Sequence, residues 1–233
     1  MTESAALFRR LACLCLCLAL VIALPAGAAT PRQTLFAAAF EAQDRQAALA
    51  EIDKAEQAAS AALAQAPHDR EAYLIRAMAI GYRAKITHSR SNAIEARKLF
   101  EAFAAANPQD AEAQALVGGW HIDAVAELGG LAAGAVLGAR RKSGYAAIDR
   151  AVALGGDRAM FSGIAMLLRL SLDPDDPTGP GLAQRAARGT TPFVLDQIMQ
   201  RAAQEMLVQL KTGDSRAIQA AAKRLLPFGQ VRK

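Results

Sequence analysis

The sequence predicts an all-α protein built from TPR-like helical hairpins stacked as a short solenoid. Hydrophobic residues make up 53% of the 233 residues but aromatic residues only 5%, and alanine supplies much of the apolar count. Alanine is the best helix former and fills little core volume, so many closely packed helices with thin core layers are expected. The period-two alternation that marks strands is absent from the sequence.

The first 28 residues have the layout of a secretory signal peptide. Arg9 and Arg10 precede an uncharged apolar run of 14 residues, Leu11–Leu24, and Pro25 and small residues up to Ala28 follow. The run is shorter than the ~20 residues that a spanning helix needs. A retained anchor helix and a twin-arginine signal are the alternatives. We expect cleavage after Ala28, export to a bacterial periplasm and a mature domain over residues 29–233.

Cysteine usage and charge agree with export. All three cysteines lie in the apolar run, so the mature chain has no thiol, which suits an oxidising compartment. It also excludes a cysteine nucleophile, an iron–sulfur cluster and a zinc ribbon. The net charge of +5 falls to +4 without the signal, and the basic residues are spread along the chain. This predicts no nucleic-acid partner and allows a weak attraction to anionic lipid, hence a peripheral membrane contact.

The helices follow from apolar spacing and cap residues. Residues 34–66 form one long helix or two shorter ones, ended by Pro67, and residues 69–86 form the next. After a polar break, Asn92 and Glu95 have the spacing of a capping box for a helix that reaches residue 106. Asn107 is the expected N-cap of the following helix, with Pro108 at its first position.

An internal repeat supports the hairpin interpretation. The pattern P-x-D-x-E-A occurs at Pro67 and again at Pro108, 41 residues later. A third unit, AAIDRAVALGGDRAM, places Gly156 at the proline position after a further 48 residues. These periods exceed the ~34 residues of a tetratricopeptide repeat, so the units are TPR-like, with core repeats over about 34–172.

The segment after the repeats begins with a turn-rich stretch, DPDDPTGPG, which is predicted to be a loop. Its aspartates suggest a calcium loop as one alternative and a solvated loop as the other, but Gln184 stands where calcium loops carry glutamate. A C-terminal helical pair over about 191–228 follows. Thr191 is the expected N-cap of its first helix and Asp214 that of its second.

No catalytic constellation is present in the sequence. The three histidines, His68, His88 and His121, have no partner at the spacing of a metal site. Nucleophile-elbow, P-loop and dinucleotide-binding motifs are also absent. We therefore expect a binding protein rather than an enzyme, with no catalytic residues, no metal and no cofactor.

One glycine-rich stretch stands out, VGGWHIDAVAELGGLAAGAVLGARRKSGY. Gly130, Gly134 and Gly138 would share one helix face, with Arg140 and Arg141 at its C-terminal end. Small residues at this spacing let another backbone or a flat ligand approach closely. The stretch is either a tightly packed interior helix or the smooth wall of a groove.

The single tryptophan, Trp120, lies just before this segment and is expected either in the core or against a ligand. His121 is expected to satisfy a backbone carbonyl rather than to catalyse. Together with Gly119 and the glycines and arginines named above, they are the candidate binding residues.

A family resemblance runs through the same stretch. Gly119, Trp120, His121, the pairs at 128–129 and 137–138, and the repeat helix at 147–154 resemble the TPR-like domain of the regulator of microtubule dynamics family and its bacterial relatives. The resemblance covers about residues 63–172. It implies a TPR-like fold and the binding of a lipid or a peptide at membranes.

The sequence thus predicts an exported, non-catalytic scaffold with a groove for a partner peptide or an acyl chain. The alternative is a periplasmic hydrolase acting on envelope lipid or cell-wall material. That alternative would require His121 to lie within reach of an aspartate or glutamate in a pocket.

Overall fold

Eleven α-helices occupy most of residues 29–231, the part of the chain that the computed structural model describes. The predicted all-α class is confirmed, since no strand forms in this part. The predicted signal peptide lies outside the described residues. The helices are α1 Pro31–Phe40, α2 Arg45–Gln65, α3 Arg70–Thr87, α4 Arg90–Ala106, α5 Ala111–Leu128, α6 Gly130–Leu137, α7 Arg141–Leu154, α8 Ala159–Leu172, α9 Gly179–Arg188, α10 Val194–Leu210 and α11 Ser215–Leu225.

Aspartate side chains set several helix starts. Asp44, Asp69, Asp110 and Asp214 each accept backbone N–H groups from the first turn of the helix that follows. The first N–H groups of a helix have no partner within it, and these carboxylates satisfy some of them. The Asp44 cap divides the alanine-rich stretch over 34–66 into α1 and α2, and the expected start at Asp214 is confirmed.

Two predicted caps in the first half of the chain are wrong. α4 begins earlier than expected because the Ser89 hydroxyl accepts the Asn92 N–H at 3.3 Å, which places Asn92 inside the first turn. Asn107 ends α4 instead of starting α5, and its side-chain amide donates to the Phe103 carbonyl. Both segments offer two cap residues three positions apart, and the sequence pattern alone does not rank them.

The helix α9 was not predicted, because DPDDPTGPG reads as a loop throughout. Its start is held by Asp176, whose carboxylate accepts the backbone N–H of Thr178 at 2.8 Å and its hydroxyl at 2.6 Å. Pro180 occupies the first turn, where its missing N–H removes no helical hydrogen bond. Turn residues therefore lead directly into a helix here.

The start of α10 also differs from the prediction, since Thr191 is not its cap. The helix begins after Phe193, whose N–H donates to the carboxylate of Asp196 at 3.2 Å. The fully buried Asp196 also accepts the N–H of Met160 at the start of α8 and the guanidinium of Arg158. One buried carboxylate thus serves the beginnings of two helices, an arrangement that no local pattern reveals.

Successive helices pack against each other from α1 to α5, and α5 then packs along α7 with α6 as an excursion between them. The C-terminal helices gather around α8, which contacts α5, α7, α9, α10 and α11. Nearly every residue of α8 is buried, as expected for a helix that is apolar on all sides. In a linear solenoid each repeat contacts only its neighbours, whereas α8 contacts five other helices. The predicted stacking as a short solenoid therefore stays a prediction.

The chain returns to its first helix at the end. The segment after α11, residues 226–231, places the Phe228 N–H on the Ala39 carbonyl of α1 at 2.7 Å. The Phe228 ring meets Tyr82 of α3 edge-on, with centroids 5.0 Å apart, and Leu226 is buried. This C-terminal segment closes the space between α1, α3 and α8.

Candidate functional site

A central cavity of about 150 Å³ lies inside this ring of helices. Its walls come from six helices and the C-terminal segment, and they are mostly aliphatic and aromatic. Within each helix the lining residues recur at steps of three or four, which puts them on one face. The apolar lining consists of Phe36, Phe40, Leu74, Met78, Gly81, Tyr82, Phe100, Ala115, Leu116, Gly119, Trp120, Met160, Ile164, Leu168, Leu195, Met199, Leu226 and Pro227.

Polar groups are few in the cavity wall and most are paired. Lys85 of α3 and Asp123 of α5 form an ion pair there. The Trp120 indole Nε1–H donates to the Ala93 carbonyl at 3.0 Å, so its ring is fixed between α4 and α5. Burial raises the pKa of the Tyr82 hydroxyl, which is therefore neutral. The cavity thus offers an apolar interior with a small polar margin.

A second pocket of about 220 Å³ lies on the other side of Trp120, beneath α6; we call it the α6 pocket. Trp120, Gly81, Lys85 and Asp123 line both spaces. The remaining walls come from the ends of α3 and α5, the start of α4 and the C-terminal end of α6. Gly81, the Trp120 indole and the Lys85–Asp123 ion pair are therefore common to the walls of the two spaces.

A third, wider pocket of about 550 Å³ adjoins the opposite end of the cavity, at Arg32 and Glu112; we call it the arginine pocket. Arg32 donates to Glu71 at 2.5 Å and to Glu112 at 3.2 Å. Arg70 donates to Asp110 at 2.7 Å and to Glu112 at 3.1 Å. Hydrogen bonding to Asp110 raises the pKa of Arg70, so the network stays ionised.

This network joins the repeat units. Glu71 and Glu112 hold the same place in the two P-x-D-x-E-A motifs, and Arg32 bridges them. Arg158 stands at the N-cap of α8, where the first two units have aspartate, and it pairs with the buried Asp196. Since each of these arginines already has a carboxylate partner, the pocket presents no uncompensated positive charge. The repeat was visible in the sequence, but its bridging arginine was not.

The predicted binding residues divide into two groups. Gly119 and Trp120 line the central cavity. Gly130 and Gly134 are exposed on α6, and Gly138 ends that helix in the left-handed region with φ 71°. The expectation of a tightly packed interior helix with a three-glycine face is therefore wrong, since the helix is only eight residues long and largely exposed.

The close helix contact occurs at two other glycines. A Cβ on Gly118 would lie 2.8 Å from the Ile148 nitrogen and 3.0 Å from the Gly144 carbonyl oxygen. A Cβ on Gly144 would lie 2.6 Å from a side-chain atom of Ile122. α5 and α7 approach so closely because both lack a side chain at this point. A Cβ on Gly134, in contrast, would meet only the Ala139 carbonyl, at 3.6 Å.

The two candidate arginines lie at the start of α7. Arg140 is its N-cap residue and Arg141 its first residue, and both are exposed. The expectation that they follow directly on the C-terminal end of one long helix is wrong, because Gly138 ends α6 and separates them from it. They remain close to α6 along the chain.

Comparisons with known proteins find no match: no family model, no curated protein and no solved structure is similar enough to this chain to count as a relative. The fold and the cavity geometry therefore carry the functional argument.

His121 meets the condition of reaching a carboxylate, but not in a pocket. Its Nε2 lies 3.6 Å from Glu101, and its Nδ1 accepts the backbone N–H of Arg140 at 3.3 Å. The expected backbone partner was a carbonyl, and the observed one is an amide. Nδ1 is engaged by the backbone, the side chain is buried, and His121 lines none of the three pockets described above.

Within residues 29–231 no group of three or more potential metal-ligating side chains comes together. Over the same range no helix combines the length and the apolar character needed to cross a membrane.

Proposed function

We propose that this protein is an exported, non-catalytic binding module of TPR-like helices whose central cavity takes an acyl chain. The observation that supports this is the apolar central cavity of about 150 Å³. In another protein an apolar cavity of similar size stays dry and binds benzene. A ligand that fills such a space gains about 0.8 kcal/mol for each buried methylene group.

The arrangement favours an acyl chain over a peptide. Peptide backbone carries N–H and C=O groups that need partners when buried. The cavity wall offers few polar groups, and Lys85 and Asp123 are already paired with each other. A hydrocarbon tail has no such requirement. The hydrolase alternative lacks comparable support, because the buried His121 lines none of the pockets and its Nδ1 already accepts a backbone hydrogen bond.

The first experiment is native mass spectrometry of the protein purified from the periplasmic fraction, with its N-terminus sequenced. We expect a start near Ala29 and a co-purified lipid or fatty acid. Titration with the fluorescent fatty acid cis-parinaric acid should then show saturable binding. An intact Met1 on a cytoplasmic protein would contradict export, and the absence of both lipid and probe binding would contradict the cavity proposal.

A cavity-filling variant makes this test specific. Gly119 faces the cavity, and a Cβ there meets only Leu168, at 3.9 Å. Gly119→Leu should therefore fill the cavity and abolish binding of cis-parinaric acid while leaving the melting temperature unchanged or higher, since glycine in a helix costs about 1 kcal/mol. Gly181→Leu is the matched control, because that helical glycine is exposed and faces open space. Equal probe binding by both variants would place the ligand elsewhere.

A further inference from the structure

The helix α6 presents an apolar face that the described chain leaves uncovered. Leu131 is 93% exposed, Val136 41% and the adjoining Leu128 46%. At about 100° per residue, the exposed positions 131, 132, 135 and 136 share one side of the helix. Ala133, which is fully buried, lies on the other side. Single exposed apolar residues are common, but this is a continuous face without any charge between residues 128 and 139.

Two arginine side chains of α4 hold α6 in place. The Arg90 side chain donates to the Val136 carbonyl at 3.2 Å, and Arg97 donates to the Leu137 carbonyl at 2.8 Å. The Ala139 N–H closes the C-terminal turn on Ala133 at 3.1 Å. α6 is therefore a fixed projection with defined ends, and its apolar side chains point away from the rest of the chain.

Exposed basic residues lie at the C-terminal end of this face. Arg140, Arg141 and Lys142 follow α6 after Gly138 and Ala139, and the Arg90 side chain reaches the Val136 carbonyl. Among the exposed residues next to α6, Glu127 is the acidic one. An apolar helix face with cations beside it is the arrangement by which helices lie in the interface of an anionic bilayer. Each basic residue near such a surface strengthens binding about fivefold.

We propose that α6 docks this protein on the surface of an anionic lipid bilayer. The size of the face favours a bilayer over a protein partner. A stable protein–protein interface buries about 800 Å² on each side, far more than one short helix with three large apolar residues can supply. Insertion of a few apolar side chains into lipid has no such area requirement.

Docking through α6 has a consequence for the cavity, which rests on the proposed acyl-chain function. The α6 pocket is walled partly by Leu128, Val136 and Leu137, and Leu128 and Val136 also belong to the exposed apolar face. The same pocket shares Trp120 and the Lys85–Asp123 pair with the central cavity. An acyl chain that leaves the bilayer beside α6 would meet the cavity after passing only these side chains.

The test is flotation of the purified protein with vesicles of mixed phosphatidylcholine and phosphatidylglycerol, beside vesicles of phosphatidylcholine alone. We expect the wild type to bind the anionic vesicles and Leu131→Glu to bind at least about tenfold more weakly, because an exposed leucine is lost from the interface. Val208→Glu is the matched control, since Val208 is a 61% exposed apolar residue on α10. Comparing variants with the same N-terminus removes any contribution of residues 1–28.

The basic residues are tested separately. The double variant Arg140→Glu, Arg141→Glu should weaken binding to anionic vesicles by at least about 25-fold, because each basic residue contributes about fivefold. It should change binding to phosphatidylcholine vesicles far less. Failure of the wild type to float would overturn the proposal and leave the face to a protein partner. Equal effects of Leu131→Glu and Val208→Glu would overturn it as well.

The docking proposal and the cavity proposal fail independently. Leu131→Glu leaves the cavity lining intact, so it should keep the wild-type affinity for cis-parinaric acid in the absence of vesicles. Gly119→Leu should lose the probe but still float with anionic vesicles. Vesicle binding without probe binding would refute the acyl-chain cavity alone, and the reverse would refute docking alone.

Discussion

His121 shows how one residue can look catalytic in a sequence and be structural in the fold. It follows the cavity residue Trp120, but its ring turns away into the contact between α5 and the start of α7. Burial lowers the pKa of His121 below 6.5, and the charges of Arg97 and Arg140 lower it further, while Glu101 opposes them. The neutral ring is therefore the form that accepts the Arg140 amide.

This predicts a pH dependence of stability. Since the folded-state pKa is lower than the ordinary value of 6.5, the unfolded chain takes up a proton below that pH while the folded chain does not. The stabilisation is complete above pH 6.5 and is lost as the pH falls towards the folded pKa. Calorimetric melting between about pH 7 and pH 5 should show a smaller drop for His121→Gln than for the wild type.

The control for this prediction is His68→Gln, because His68 is exposed in the turn between α2 and α3. It should follow the wild-type profile. If His121→Gln also follows it, the histidine does not carry the acid sensitivity and its burial has no consequence for stability.

At the scale of the element, most helices were predictable from the sequence, although α9 was not, and the contacts between helices were not predictable. The predicted helix over 69–86 is present as α3, and Asp214 caps α11, because local spacing and cap chemistry determine both. The spacing of the three glycines left a packed interior helix and a groove wall as alternatives, and the structure shows a short helix that is largely exposed. Whether a helix face of small residues packs against another helix depends on the residues of that other helix. Gly118 packs against Gly144, 26 residues away, and the spacing within one helix does not reveal such a partner.

The candidate site likewise contains some residues that the sequence predicted and others that it did not. Gly119 and Trp120 were found because they are unusual residues in a helical repeat. Half of the residues that line the cavity are ordinary leucines, methionines and phenylalanines, which are indistinguishable from core residues in the sequence. Arg32, which bridges Glu71 and Glu112, carries no local signal because its partners lie 39 and 80 residues away.

The contrast between the glycines predicts different outcomes for the same substitution. Gly118→Ala should lower the free energy of unfolding by about 1–3 kcal/mol, because the new Cβ meets the backbone of α7 and cannot be accommodated by rotating a side chain. Gly134→Ala should be neutral or stabilising by up to about 1 kcal/mol, because it gains helix propensity in open space. Urea unfolding measures both, and a destabilised Gly134→Ala would mean that α6 packs more closely than its exposure indicates.

At the scale of the whole molecule, the C-terminal segment turns a row of helices into a closed ring. Leu226 and Pro227 form part of the cavity wall, and Phe228 joins α1 through its backbone and α3 through its ring. The two ends of the described chain thus depend on each other. The cavity between α1, α3 and α8 loses part of its wall if this segment is displaced.

Because the C-terminal segment contacts α1, we predict that truncating two of its side chains destabilises α1 as well as the whole fold. The double variant Leu226→Ala, Phe228→Ala should lose at least about 2 kcal/mol of unfolding free energy, since one of the two side chains is buried. Hydrogen exchange should also become faster in α1, although neither substitution lies there. The control Leu131→Ala, Val208→Ala removes two exposed apolar side chains and should change neither quantity. If stability falls while α1 keeps its protection, the C-terminal segment merely supports α11, and the cavity must be enclosed by the helices alone.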